Sequence, residues 1–369
     1  MRTRAIGRTL VWRLVAGAFA GTIAVAATMF ALGWRVDHDV AVLITPGTND
    51  VAAPVIAHDM PGYRIQAGAG HDGQAVYALA REPMHLHNAG QFVDRPRYRT
   101  QRILLPVLAW MVHPQGGGRG LAVAQWAVVA LGVFLTGLGA GALAFALGAS
   151  ADASRRLALL APLLPASWVC LGLSVPDQLA LGLAMVALTL DTQRRHRSAV
   201  ACAVLAVLAK ETLLVLLLGW VVARGRATFV RLFAVPAAVA FTWWLTLRFV
   251  VFPHDHAHIF EIAVIQGTYS TLRDLVTGTA PLAGTVLVVS IGGALVAVVR
   301  RGLSSPLGWA IALQLAFTAL LSETILGGVW NDPRATGPLL LLGIVALTIP
   351  CQPSPDLAEL PLELVNLVA

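Results

Sequence analysis

The chain has 369 residues, 57% of them hydrophobic and 12% charged, with a formal net charge of +7 and a mean hydropathy of +0.74. Soluble domains carry nearer a quarter charged residues, so the composition excludes an ordinary soluble protein and points to a polytopic membrane protein. The positive excess is nearly all arginine, Lys210 being the one lysine, and no basic run is interleaved with aromatics. That pattern reports membrane topology, and no nucleic-acid partner is expected.

Basic residues between Arg2 and Arg13 precede an apolar run at 14–33. The run is about 20 residues, longer than a usual cleavable signal core. Residues 1–33 therefore read as a cytoplasmic N-terminus and first spanning helix. Residues 34–120 follow as one long extracytoplasmic loop carrying short amphipathic helices, and loops of this length tend to be functional. Within it, Ala75, Val76, Leu79 and Ala80 recur at helical spacing, and Pro83 ends the run. Asp72, just ahead of these, reads either as an N-cap or as a functional acid. Gly70 and Gly73 on either side of it would let a substrate approach the backbone. Asp37-His38-Asp39 looks like a metal-binding pair, although a solvated loop start explains it more simply. Arg95, Arg97 and Arg99 form a basic patch that leads to Arg102. The apolar stretch 103–112 is too short to cross a bilayer and suits an interfacial or re-entrant helix.

Residues 121–350 read as a transmembrane helical bundle, with apolar runs at about 121–147, 157–173, 178–190, 229–252, 281–299, 307–326 and 338–349. Short arginine-bearing connections, such as Arg155-Arg156 and Arg300-Arg301, mark the cytoplasmic side. Segment 199–222 is flanked by arginine at both ends and interrupted by Lys210-Glu211. Two short helices meeting there as a broken hairpin satisfy the charge rule, and buried charge at that depth needs protein or a watery cavity around it. The expected class is all-α, with about nine or ten spans at roughly 20 residues each and a cytoplasmic tail at 351–369. Cys170, Cys202 and Cys351 lie in or beside apolar stretches and read as packing residues.

Asp177 after Pro176 reads as a helix cap or a site residue. Lys210 and Glu211 either pair with each other or serve a site, and Arg334, in an outer turn at 330–334, is an interfacial anchor or an anion ligand. His254, Asp255, His256 and His258 look like a metal site, but a lone His-x-His in a loop is more simply solvated. On the expected topology Asp72, Arg102, Asp177 and Arg334 share the extracytoplasmic face, and Lys210-Glu211 joins them if the hairpin rises to it.

Gly70-His71-Asp72-Gly73-Gln74 with Tyr77, Arg102 to Pro106, Pro176 to Ala180, and Leu208 to Thr212 together resemble bacterial membrane proteins of the GT-C glycosyltransferase superfamily. The nearest look-alikes are GPI-mannosyltransferase-like proteins, where an aromatic-Asp-Gly sequence occupies the first outer loop; here His71 stands in place of the aromatic. The resemblance covers roughly the first 220 residues. It implies a multi-pass plasma (inner) membrane enzyme of the cell envelope that uses a polyprenyl-phosphate sugar donor, with Asp72 as general base. It further implies substrate contacts from His71, Gln74, Tyr77, Arg102, Asp177, Lys210, Glu211 and Arg334. Membrane lipid and the lipid-linked donor are the partners expected, and the sequence assigns no metal, cofactor or oligomeric state. The chemistry is coherent: a positioned carboxylate takes the proton of an acceptor hydroxyl, and cations stabilise a phosphate leaving group. Competing expectations are a lipid or solute transporter or flippase, which often shows paired broken helices, and a non-catalytic membrane subunit.

Overall fold

A computed structural model describes residues 2–63, 68, 70–255, 266–326 and 331–350, and among these all regular structure is helical. Helix α1 (Arg2–Asp37) is one continuous rod. The stretch expected as a loop then folds into a helical cap. It contains a 3-10 turn (Val40–Ile44), α2 (Ala53–Asp59), α3 (Asp72–Arg81), α4 (Leu86–Ala89), α5 (Pro96–Thr100) and α6 (Leu104–Val112). The cap has its own core, in which Ile44, Ile56, Met60, Tyr77 and Leu79 pack with Leu121 of the bundle. Removing these side chains from water is what orders a segment that has no long helix of its own.

The bundle begins with α7 (Gly118–Ala146). A broken segment follows, α8 (Ala151–Leu160) and α9 (Pro165–Leu173), then α10 (Asp177–Thr192). Pro165 lacks the N–H that would continue the helix, and the chain bends by 41° there. Helices α7 and α10 touch backbone to backbone. A Cβ on Gly132 would lie 2.4 Å from the Leu179 nitrogen, and one on Gly182 would lie 2.7 Å from the Gly132 oxygen, so both positions require glycine.

Segment 199–222 divides as expected, into α11 (His196–Ala209) and α12 (Leu213–Val222). One residue shows that the pair folds back on itself. The buried Asp191 carboxylate, near the end of α10, accepts from Arg224 Nη1 at 2.9 Å and from Trp220 Nε1 at 3.3 Å, and its other oxygen is 3.7 Å from His196 Nδ1. Both ends of the hairpin are therefore held at one end of α10. At the opposite end Lys210, at the break, is bonded to Asp177. With about 1.5 Å of rise per residue, the 14 residues of α11 place the tip roughly 21 Å from that anchor.

Helix α13 (Arg226–Phe229), α14 (Val235–Thr246) and two π-helical segments form one continuous helix, 226–251. Its C-terminal half is tied to the cap by Trp243 Nε1, which donates to the Thr100 carbonyl at 3.2 Å. The bundle is completed by α15 (Gln266–Thr277), α16 (Pro281–Arg301), α17 (Pro306–Ala319), α18 (Glu323–Leu326) and α19 (Asp332–Thr348). Two boundaries differ from the sequence pattern. Helix α17 stops at Ala319, and Asp332 to Arg334 open α19 instead of forming an outer turn. Pro333 sits in the first helical turn, where its missing N–H is harmless; Pro338, which reads as a helix start, lies inside the helix.

Among the described residues four helices are long and apolar enough to cross a membrane: Leu10–Arg35, Gly118–Ala146, Arg226–Val251 and Pro281–Arg301. The bent pair Ala151–Leu163 and Pro165–Leu173 makes a fifth if counted as one span. This is the build of a multi-pass membrane protein. Large apolar side chains such as Phe241, Phe249 and Val250 stand exposed on the 226–251 helix, as a lipid-facing surface requires.

Asp191 makes a specific demand on stability. Asp191→Ala should lower the thermal midpoint of the detergent-solubilised protein, at a cost of about 2–3 kcal/mol, because Arg224 and Trp220 lose their acceptor. The exposed Asp152→Ala serves as control, and equal melting of the two variants would show that Asp191 does not hold the hairpin.

Candidate functional site

The residues expected to form a site separate into two groups. Asp72, Arg102, Asp177, Lys210, Glu211 and Arg334 come together where the cap meets the bundle. Asp72 is the first residue of α3, and its carboxylate caps nothing, since the N-cap position is His71. Instead Oδ1 accepts from Arg99 Nη1 at 2.6 Å and Oδ2 accepts from Arg334 Nη2 at 2.8 Å. Arg334, in the first turn of α19, also lies 3.5 Å from Asp177 Oδ2. The Asp177 side chain opens α10 without capping it and holds Lys210. Lys210 and Glu211 therefore do not pair with each other. Glu211 takes Arg102 through Nε and Nη2 at 3.3 and 3.2 Å, and Arg102 is fixed in turn by the Tyr98 hydroxyl at 2.6 Å and by the Tyr98 ring.

Residues far apart in sequence meet here because backbone contacts force them to. Gly73 is pressed against the end of α9, where an added Cβ would lie 2.3 Å from the Leu173 carbonyl oxygen. The buried amide of Gln125, on α7, donates to the carbonyls of Gly73 at 2.9 Å and Ser174 at 3.0 Å. These contacts clamp the start of α3 to the α9–α10 tip and so set Asp72 beside Asp177. The glycines next to Asp72 thus serve packing, and the space beside Gly70 is likewise filled, by the Gln74 amide and the Gly47 nitrogen.

In the second group, Gln74 and Tyr77 have structural roles. Gln74 is buried and accepts from the Gly47 N–H at 3.1 Å. Tyr77 is fully buried; its hydroxyl donates to Asp59 at 2.9 Å and accepts from the Gly118 N–H at 2.6 Å, fastening the cap to α7. His71 is half-buried beside Asp72, and burial pushes its imidazole below the usual value against the opposing pull of that carboxylate. Asp39 caps the 3-10 turn through the Ala41 N–H and pairs with Arg119 at 2.6 Å. His256, His258, Glu261, Trp330 and the tail from Cys351 lie outside the described residues. Among the described residues no group of three or more His, Cys, Asp or Glu side chains is placed to hold a metal ion.

Two members of the site, Arg99 and Asp94, are not among the expected site residues, although Arg99 belongs to the basic patch. Arg99 bridges Asp72 to Asp94, donating to the latter through Nε at 2.9 Å and Nη2 at 3.1 Å. The signal available was the spacing of Arg99 and Arg102, three residues apart, which puts both on one face of a helical turn. Asp94, five residues ahead of Arg99, follows a 3-10 turn and carries no motif.

Burial would raise the Asp72 carboxyl, but Arg334, Arg99 and Arg102 together hold it well below the usual carboxylate range. A carboxyl held low in the folded state stabilises the fold above its unfolded value, near 4, and that contribution is lost as the pH falls through the folded value. Thermal midpoints of the parent and Asp72→Asn should therefore differ most above about pH 4 and converge in stronger acid. A constant difference across that range would mean that Asp72 titrates as an ordinary surface carboxyl.

Comparison with protein-family models, curated proteins and solved structures finds no match for this chain.

Proposed function

We propose that the protein is a plasma-membrane glycosyltransferase that moves a sugar from a polyprenyl-phosphate donor to an acceptor hydroxyl on the extracytoplasmic face. The observation that carries this reading is the cluster itself. A carboxylate on a cap helix outside the long spans is bonded by Arg99 of the cap and Arg334 of α19, with Arg102 and Lys210 beside it on Glu211 and Asp177. In this reading Asp72 is the base that receives the hydroxyl proton, and the cations neutralise the phosphate that departs. A membrane-embedded donor accounts for a site built at the junction of cap and bundle, beside the short apolar helix α6. The shorter helices α10, α11 with α12, α17 and α19 complete a count of nine or ten membrane crossings or re-entrant passes, with α1 starting in the cytoplasm.

Asp72→Asn keeps the size of the side chain and removes the base. Transfer from a purified lipid-phosphate sugar should fall by roughly 100-fold or more. Because Arg99 and Arg334 each lose one of two carboxylate partners, the variant should also lose about 1–3 kcal/mol of stability. Full transfer by a folded Asp72→Asn protein would overturn the reading. A transporter would instead show donor exchange across the bilayer with no new glycosidic bond.

Topology is tested separately. Single cysteines at the exposed Asn49 and Asp152, after replacement of Cys170, Cys202 and Cys351, should differ in intact cells: an impermeant thiol reagent should label position 49 only. Labelling at 152 and not 49 would place the cap, and Asp72 with it, in the cytoplasm.

A further inference from the structure

The charges in this site cancel. Arg99, Arg102, Lys210 and Arg334 are each bonded to at least one of Asp72, Asp94, Asp177 and Glu211, four cations against four carboxylates. An arriving anion therefore meets cations that are already taken. Adding its charge to a neutral, partly buried cluster is unfavourable unless a carboxylate gives way or a proton accompanies it.

Three features identify the carboxylate that gives way. Both arginines on Asp72 have a second carboxylate to hold them: Arg99 keeps Asp94 through two nitrogens, and Arg334 keeps Asp177 at 3.5 Å. Each guanidinium can release Asp72 without leaving the site. Arg334 is also nine-tenths buried, and its Nε–H has no acceptor among the described residues, a donor left for a ligand to fill. Asp72 is the more open partner, with its side chain 27% exposed against 7% for Asp177. Glu211, by contrast, holds Arg102 through both oxygens.

We propose, on the reading that the ligand is a lipid phosphate, that its oxygens take Arg99 and Arg334 from Asp72, so that phosphate binding and proton uptake by Asp72 are one coupled event. The Nη1–H of Arg99 and the Nη2–H of Arg334 turn from the carboxylate oxygens to phosphate oxygens. The released carboxylate then accepts a proton, from the acceptor hydroxyl during transfer or from water when a phosphate monoester binds alone. A bound dianion adds two negative charges and the proton cancels one of them. The groups acting on Asp72 are His71 beside it, Arg99 and Arg102 from the cap, and Arg334 from α19. Asp94 and Asp177 stand behind the two arginines, and Lys210 and Glu211 behind Asp177 and Arg102; Gln125 of α7 presents only its neutral amide. The empty site thus holds Asp72 as a weak base, and no hydroxyl, water included, is activated until a phosphate is seated.

The test is calorimetric titration of the full-length protein in lipid nanodiscs with a farnesyl monophosphate, and in parallel with inorganic phosphate. Titrations at about pH 8, above the second phosphate ionisation near 6, are run in buffers of different protonation heat. The parent should take up close to one proton per bound farnesyl phosphate and bind inorganic phosphate far more weakly. Asp72→Asn should bind farnesyl phosphate more tightly, by roughly tenfold, within the usual range of linked equilibria, and take up no proton. Tight binding by the parent without proton uptake overturns the exchange even if the variant cannot be purified, as does equal uptake by a folded Asp72→Asn; the lipid-phosphate reading stands in both cases. Equal affinity for inorganic phosphate overturns the lipid source and leaves the exchange intact. Absence of binding by either phosphate overturns both.

Discussion

The bridging role of Arg334 is the constraint on which the arrangement depends. Its guanidinium lies between Asp72 of the cap and Asp177 of the bundle, at 2.8 and 3.5 Å. Removing Arg334 would leave Asp72 with Arg99 alone and the buried Asp177 with Lys210 alone, and taking one member out of a buried charge set is costlier than never having placed the charges there. Both hydrophobic clusters cross from cap to bundle, one through Val76, Leu104 and Leu105 of the cap and the other through Leu121 and Ala122 of α7, and such contact is non-directional. The charge pairs, with the Gln125 amide bridging Gly73 and Ser174, add direction to that contact.

Helix ends supply the rest of the geometry. Asp72, Asp177 and Arg334 all lie in first turns, and Lys210-Glu211 occupies a break between two helices. Backbone N–H groups are unsatisfied in first turns and positive potential gathers there, so a carboxylate at such a point is stabilised before any arginine arrives. The break at Lys210 exposes polar backbone in an apolar stretch, and such a break is tolerated where protein surrounds it. Arg102, Asp177 and the cap provide that surrounding.

The opposite end of the hairpin shows a different use of charge. Asp191, Arg224 and Trp220 form a closed set in which the guanidinium also stacks over the indole ring at 4.6 Å. It fixes where α11 starts and α12 ends. At the site end Arg334 Nε and Asp177 Oδ2 are buried without hydrogen-bond partners. One end of α10 thus holds the two ends of the hairpin, and the other holds its tip.

Much of this was legible in the chain. Hydropathy and arginine placement determined an all-helical, membrane-type protein, and the lone Lys210 beside Glu211 marked the hairpin break, because charge inside an apolar run has few tolerable locations. Six of the nine expected site residues do meet. The sequence did not show partner choice. Lys210 and Glu211 are adjacent yet face different partners, Asp177 and Arg102, because a break in the helix sends neighbouring side chains in different directions. Nor did it separate Asp72 from Gln74 and Tyr77, which share its motif and one short helix. Helical rotation turns Asp72 toward α19 and buries the other two in packing. Proline was misleading at α19, since a proline in the first turn and one inside the helix look alike until the backbone is traced. Local pattern determined which segments are helices and which residues are charged in apolar surroundings. Only the tertiary packing, through the close approach at Gly73 and the α7–α10 crossing, decided which of those charges meet.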